Sequence, residues 1–271
     1  MTEVILVVLR RPDAAAGLLA AAAQLAALAP AALVNVVAVR QTIVPSAVGA
    51  EALMFETDAV TEGEQAEATR MAALAAAYAA WRDGAAAGLA THWAEAEGSP
   101  GPVVAELGSR ADLVVCARPV DADRLARQAF SAALFGTDRP VLLLPPVAAA
   151  PIGRRVAIAW RDEKRALRAV IPTLRWLAQA QETHLLIGLR GDAEPPPLPR
   201  VFTEHGIRPE LHMLRIGGEP FGKTLLDEAH ALGADLLVMG AYAHSPLREL
   251  ILGGVTRYML QHADLPILMR H

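Results

Sequence analysis

Cysteine is nearly missing. Cys116 stands alone, so the chain can form no internal disulfide and no thiolate metal centre, which fits a reducing, cytoplasmic setting. Set in the apolar run "DLVVCA", it reads as a small buried hydrophobe rather than a reactive thiol. Excess positive charge is missing too. The formal net charge is -4, which argues against nucleic acid or an acidic membrane surface as a partner. The eight histidines include no pair at a metal-ligand spacing such as H-x3-H, so no metal site is expected. His212 falls in a strand pattern and His262 near a helix end, where both read as structural. No G-x-S-x-G elbow occurs, and no general base stands out, so no catalytic residue is expected. Nor is there a long uninterrupted hydrophobic run. "RRPDAAAGLLAAAAQLAALAPAALVNVVAV" imitates an export signal, but Asp13, Gln24, Pro30 and Asn35 interrupt it and a strand-like "EVILVVL" precedes it. A helix packed on a sheet is the better reading, with no membrane partner.

What the chain does hold is apolar bulk. Hydrophobic residues make up 54% of its 271 positions and charged residues 20%, enough to bury a sizeable core in two ordinary domains or one large one. The chain also repeats itself. "VILVVLRRPDAAAGLLAAAAQLAAL" corresponds to "RRVAIAWRDEKRALRAVIPTLRWLA": an apolar strand ending at an arginine (Arg10, Arg161), a turn, then a helical pattern. "ALVNVVAVR" corresponds to "THLLIGLR", and "ADLVVCA" to "ADLLVMG" with Asp112 matching Asp235. "RPVLLLPP" and "LPILMRH" close the halves, with Pro140 matching Pro266.

Unbroken apolar strands are buried on both faces, and strands alternating with helices imply a parallel sheet with helices on both sides. Two similar α/β domains are therefore expected, 1–147 and 153–271, each a five-stranded parallel sheet. They are joined by the linker "PPVAAAPIG". The halves differ between their second and third strands. The first carries a loop from Gln41 to Thr61 and a long alanine-rich helix, "EGEQAEATRMAALAAAYAAWRDGAAAGLA". The second has "GDAEPPPLPRVFTEHGIRPE", whose prolines favour an extended linker with one short helix. Ligands of such sheets sit beyond the carboxyl ends of the strands.

One stretch near that position has the chemistry of a phosphate loop. "MGAYAHSPLRELILGGVTRYML" runs from a strand end at Gly240 to a glycine pair, Gly253 and Gly254, that opens a helix. Glycine lets backbone N–H groups approach phosphate oxygens, and a helix N-terminus adds unpaired N–H groups and partial positive charge. With "VAIAWRDEKRALRAV" and the terminal "ADLPILM", this stretch resembles the universal stress protein A family in its tandem two-domain form. The family loop is Gly-x2-Gly-x9-Gly-(Ser/Thr). Gly240 and Gly253 fill its first and third glycines, Ala243 replaces the second, and Gly254 replaces the hydroxyl residue. Val255 and Thr256 match the residues that open the last helix. The first half resembles the family in layout only.

The resemblance implies a Rossmann-like, nucleotide-binding α/β fold and a site for ATP or ADP in the second half. That site would be drawn from Trp160, Arg161, Gly188, Gly240, Ala243, Ser245, Gly253, Gly254, Val255 and Thr256, with His244 a further phosphate contact. Magnesium would enter only with the nucleotide. Where the family usually places an aspartate after the first strand, this chain has Arg10 and Arg161. The family pairs through its last strand, so "RPVLLLPP" and "LPILMRH" are expected to meet as an internal pseudo-dimer, and a homodimer of whole chains stays open. A stress-response sensor or adaptor is the implied role. Two alternatives stand beside it. "GGEPFGKT", Gly217 to Thr224, matches G-x4-G-K-T after a strand and before a helix, so Lys223 and Thr224 could serve a P-loop phosphotransferase or ATPase. A ligand-free structural or interaction protein is the other.

Overall fold

The computed structural model describes residues 2–29, 31–42, 53–119, 123–146, 151–161, 164–191, 193–241 and 254–271. The unbroken apolar runs become the middle of one sheet. In the first half these are β1 (Glu3–Leu9), β2 (Ala32–Arg40), β4 (Leu113–Ala117) and β5 (Val141–Leu144), with the more polar β3 (Ala90–Glu97) at the edge. The second half repeats the plan with β6 (Arg155–Trp160), β7 (Glu182–Leu189), β8 (Glu210–Arg215), β9 (Leu236–Gly240) and β10 (Ile267–Arg270). The ten strands lie in the order β3-β2-β1-β4-β5-β10-β9-β6-β7-β8. Every pairing is parallel except the central one, where β10 meets β5 antiparallel with Ile267 opposite Leu143, Leu268 opposite Leu142 and Met269 opposite Val141. "VLLL" and "ILM" are buried on both faces, so their exposure is relieved only by covering both sides and pairing both edges. The segments expected to meet do so.

Helices cover both faces. One apolar layer is built against α1 (Pro12–Ala27), α2 (Leu53–Asp83), α5 (Lys164–Val170), α6 (Leu174–Leu177) and α7 (Arg200–Glu204). The other lies against α3 (Pro100–Ser109), α4 (Arg124–Gly136), α8 (Phe221–Ala231) and α9 (Gly254–His262). Each layer takes residues from both halves, so the core is continuous across the junction. Among the described residues, no helix is long and apolar enough to cross a membrane.

The repeated landmarks prove to be joints. Asp112 accepts the N–H of Val4 at 2.9 Å, and Asp235 accepts those of Gly153, Arg154 and Arg155 at 2.7–3.1 Å. In each half the aspartate thus ties the start of the fourth strand to the start of the first. The carbonyls of Pro140 and Pro266 likewise accept Val114 N–H and Leu237 N–H.

Two expectations need correction. The long helix starts at Leu53, inside the stretch read as a loop from Gln41 to Thr61. Leu, Met, Glu and Ala in "LMFETDAV" carry helix well enough to extend it, and no proline or glycine stops it. The pattern after β6 is not one helix either. Pro172 lacks an N–H, and the chain there passes through a 3-10 turn, Ile171–Thr173, between α5 and α6.

Candidate functional site

The crevice of such a sheet opens at the carboxyl ends of the central strands. In the second half these are the ends of β6 and β9, which are neighbours. The ring of Trp160 turns into the core, 5% exposed and edge-on to Phe202 with centroids 5.5 Å apart, while Arg161, next along, is exposed. Gly240 sits in register with Arg270. Gly188 is a packing glycine: a Cβ there would lie 2.5 Å from the Phe221 ring and 2.8 Å from Ile216 Cδ1. At the other end of the loop, α9 opens on Gly254, where no atom of the described residues lies within 4 Å of where a Cβ would be. Val255 is half-buried, and Thr256 is buried at 3% exposure. Ala243, Ser245 and Gly253 lie outside the described residues, as does His244. Topology therefore brings Trp160, Arg161, Gly240 and the Gly254–Thr256 turn to one end of the sheet, while Gly188 and the Trp160 ring serve the core.

The first half shows what can fill the matching place. Arg10, just beyond β1, donates through Nη2 to both carboxylate oxygens of Asp123, at 3.2 and 3.3 Å. Asp123 is the N-cap of α4 and accepts the Ala126 N–H at 2.9 Å. A carboxylate thus occupies the helix N-terminus where an anionic ligand would sit. Burial alone would raise the Asp123 carboxyl, but the Ala126 N–H and Arg10 outweigh it and hold it below the usual aspartate value. Arg70 of α2 braces the same region. It donates to the carbonyls of Arg10 (2.6 Å) and Val39 (2.8 Å) and pairs with Glu67 (2.6 Å), which accepts Gln41 N–H at 2.7 Å. The remaining cavity beside Arg10, Cys116, Arg118 and Asp123 is about 20 Å³, room for about one water and far too little for a nucleotide. Burial lifts the Cys116 thiol to about 12, in keeping with an inert core cysteine. Arg70 and Asp123 escaped the sequence reading because their partners lie 60 and 113 positions away.

Two positions of the G-x4-G-K-T match, Gly222 and Lys223, have a structural explanation. A Cβ on Gly222 would come within 2.6 Å of the Tyr258 Cβ, so Gly222 lets α8 pack on α9. Lys223 is held on the surface of α8 between Glu219 (3.0 Å) and Asp227 (2.8 Å), one helical turn to either side. A wider cleft of about 550 Å³ lies at the junction of the halves. Its arginines are already engaged: Arg175 with Glu3, Arg139 with the Ser109 carbonyl, and Arg270 with Asp138.

The model of the universal stress protein family matches residues 114–271, more than half of the chain. Among solved structures, the chain is similar to a universal stress protein from Archaeoglobus fulgidus DSM 4304, with a TM-score of 0.67 and 14% identity over 98% of this chain and 95% of that one. It is also similar to a functionally unknown protein from Pseudomonas aeruginosa PAO1, with a TM-score of 0.59 and 15% identity over 99% of this chain and 92% of that one. At such identities the likeness speaks for the fold. A comparison with curated proteins found no match.

Proposed function

The chain belongs to the universal stress protein family, and from that premise we propose that it is a stress-response sensor or adaptor binding ATP or ADP in its second half. Two units, 1–147 and 153–271, divide the work in this reading. The observation that carries it is the contrast between the halves. In the first, the helix N-terminus at the crevice is occupied by the Asp123 carboxylate and its Arg10 partner. In the second, the matching helix opens on Gly254, and among the described residues no atom lies within 4 Å of where its Cβ would be and no carboxylate caps it. The N–H groups of Gly254, Val255 and Thr256 would receive the phosphates, joined by Gly240, Ala243, Ser245 and Gly253 of the loop and by Arg161 at the end of β6. Magnesium would arrive with the nucleotide. Turnover would be slow or absent in this reading, since among the described residues of the crevice no side chain is set up as a general base.

The test is to denature the purified protein, identify any nucleotide released, and titrate ATP with and without magnesium. Gly254→Glu would place a carboxylate on the α9 N-terminus, as Asp123 does on α4. ATP affinity is expected to fall tenfold or more in that variant and to persist in Lys223→Ala. Loss on Lys223→Ala with retention in Gly254→Glu would move the activity to the Gly217–Thr224 turn. No binding by the wild type would leave a ligand-free adaptor.

A further inference from the structure

At the amino ends of β7 and β8, the opposite sheet edge from the nucleotide crevice, two histidines converge. His184 is the third residue of β7 and His212 the third of β8. In the parallel register His184 faces Glu210, two residues before His212, so all three share the face covered by α8. His184 Nδ1 lies 3.1 Å from His212 Nε2. Glu210 completes the group, Oε2 lying 3.7 Å from His184 Nδ1 and Oε1 4.0 Å from His212 Nε2. One donor atom from each residue fits within 4.8 Å of the others. Tetrahedral coordination at metal–nitrogen distances of about 2.0–2.1 Å separates neighbouring ligand atoms by about 3.3 Å. The imidazole pair is already near that spacing.

The far sides of both rings carry the second feature of such sites. His212 Nδ1 faces Glu228 of α8 at 3.4 Å. His184 Nε2 faces Glu182 at 3.4 Å, and Glu182 is itself held by Arg155 at 3.2 Å. Carboxylates behind ligating imidazoles keep the proton on the far nitrogen and turn the lone pair of the near one toward the metal. In the structure one of these far nitrogens, that of His184, is left unsatisfied. Its side chain is 6% exposed, and Nε2 lies off the line of a hydrogen bond to Glu182, leaving it buried without a hydrogen-bond partner.

We propose that His184, His212 and Glu210 bind a divalent transition-metal ion of the zinc class, with a fourth position open to water. Two imidazoles and a carboxylate suit zinc better than a hard oxygen-seeking cation such as magnesium or calcium. The ion would fasten β8, an edge strand, to β7. The site is independent of the nucleotide reading.

The test uses the full chain, stripped with a chelator and titrated with zinc chloride against a chromophoric competitor. One equivalent is expected to bind, with a rise in thermal midpoint, and cobalt(II) in its place should give the intense visible bands of a four-coordinate ion. Glu210→Gln and His212→Gln should each weaken zinc binding at least about tenfold while leaving the circular dichroism spectrum and ATP titration unchanged. Should His212→Gln fail to fold, Glu210→Gln decides, since the Glu210 side chain is 71% exposed. Failure of the wild type to take up stoichiometric zinc, or unchanged uptake in either folded variant, overturns the assignment.

Discussion

Asp123 carries two jobs at once. It caps α4 through the Ala126 N–H and neutralises Arg10, whose side chain is only 13% exposed. Its carboxyl is held below the ordinary aspartate value, so the folded state releases the proton more readily than the unfolded chain does. The stability it supplies is therefore complete above the unfolded pKa, about 3.9, and lost as pH falls through the lower folded value. Asp123→Asn keeps an N-capping oxygen but removes the charge. It should cost about 1–2 kcal/mol at pH 7, with the gap to the wild type closing below about pH 4, as read from urea midpoints. A gap undiminished as pH falls well below the unfolded value would show that the charge is not the cause. Glu3 acts with the opposite sign. Burial raises its carboxyl despite Arg175, so its contribution is full below the unfolded value and fades as pH rises through the raised one. The wild-type-minus-variant difference, rather than the wild-type curve, isolates Asp123.

At the scale of elements, legibility followed physical range. Strands in "VILVVL", "DLVVCA" and "DLLVMG" were readable because burial on both faces demands unbroken apolar runs, a local requirement. The short α7 after the prolines was readable for a similar reason, since Pro195, Pro196 and Pro197 exclude helix there. The early start of α2 was not, because "LMFETDAV" lacks a stop or cap signal and mild propensity decides weakly. Contacts between elements were least legible of all. His184 and His212 lie 28 positions apart, and only the pairing of β7 with β8 makes them neighbours. The Gly-Lys-Thr match shows the reverse error, a local pattern whose meaning is set by a neighbouring helix. Gly222→Ala should destabilise the protein by about 1–3 kcal/mol, because the added methyl meets Tyr258. Lys223→Ala should leave the thermal midpoint and ATP affinity near wild type. A tolerated Gly222→Ala together with a nucleotide-dead Lys223→Ala would restore the P-loop reading.

For the whole molecule, the β5–β10 seam decides how the two halves behave. A sheet that ran only to β5 would leave a short, wholly apolar strand with one bare edge. Across the seam, further contacts tie the halves: Arg118 Nη1 donates to the Ala263 carbonyl at 2.5 Å, Gln24 accepts Ile152 N–H at 2.8 Å, and Glu3 pairs with Arg175. Both apolar layers also run through it. The halves should thus unfold together, and the tryptophans allow that to be seen. Trp81 and Trp93 report on the first half, Trp160 and Trp176 on the second. Replacing either pair with phenylalanine leaves probes in one half only, and the two variants should give urea transitions that coincide with their own circular dichroism curves. Leu268, fully buried opposite Leu142, sits on the seam itself. Leu268→Ala should remove about 2–5 kcal/mol and lower the midpoint seen by both sets of probes equally. If only the second-half tryptophans respond, or if the paired variants melt apart, the seam joins two domains that fold on their own rather than one cooperative unit.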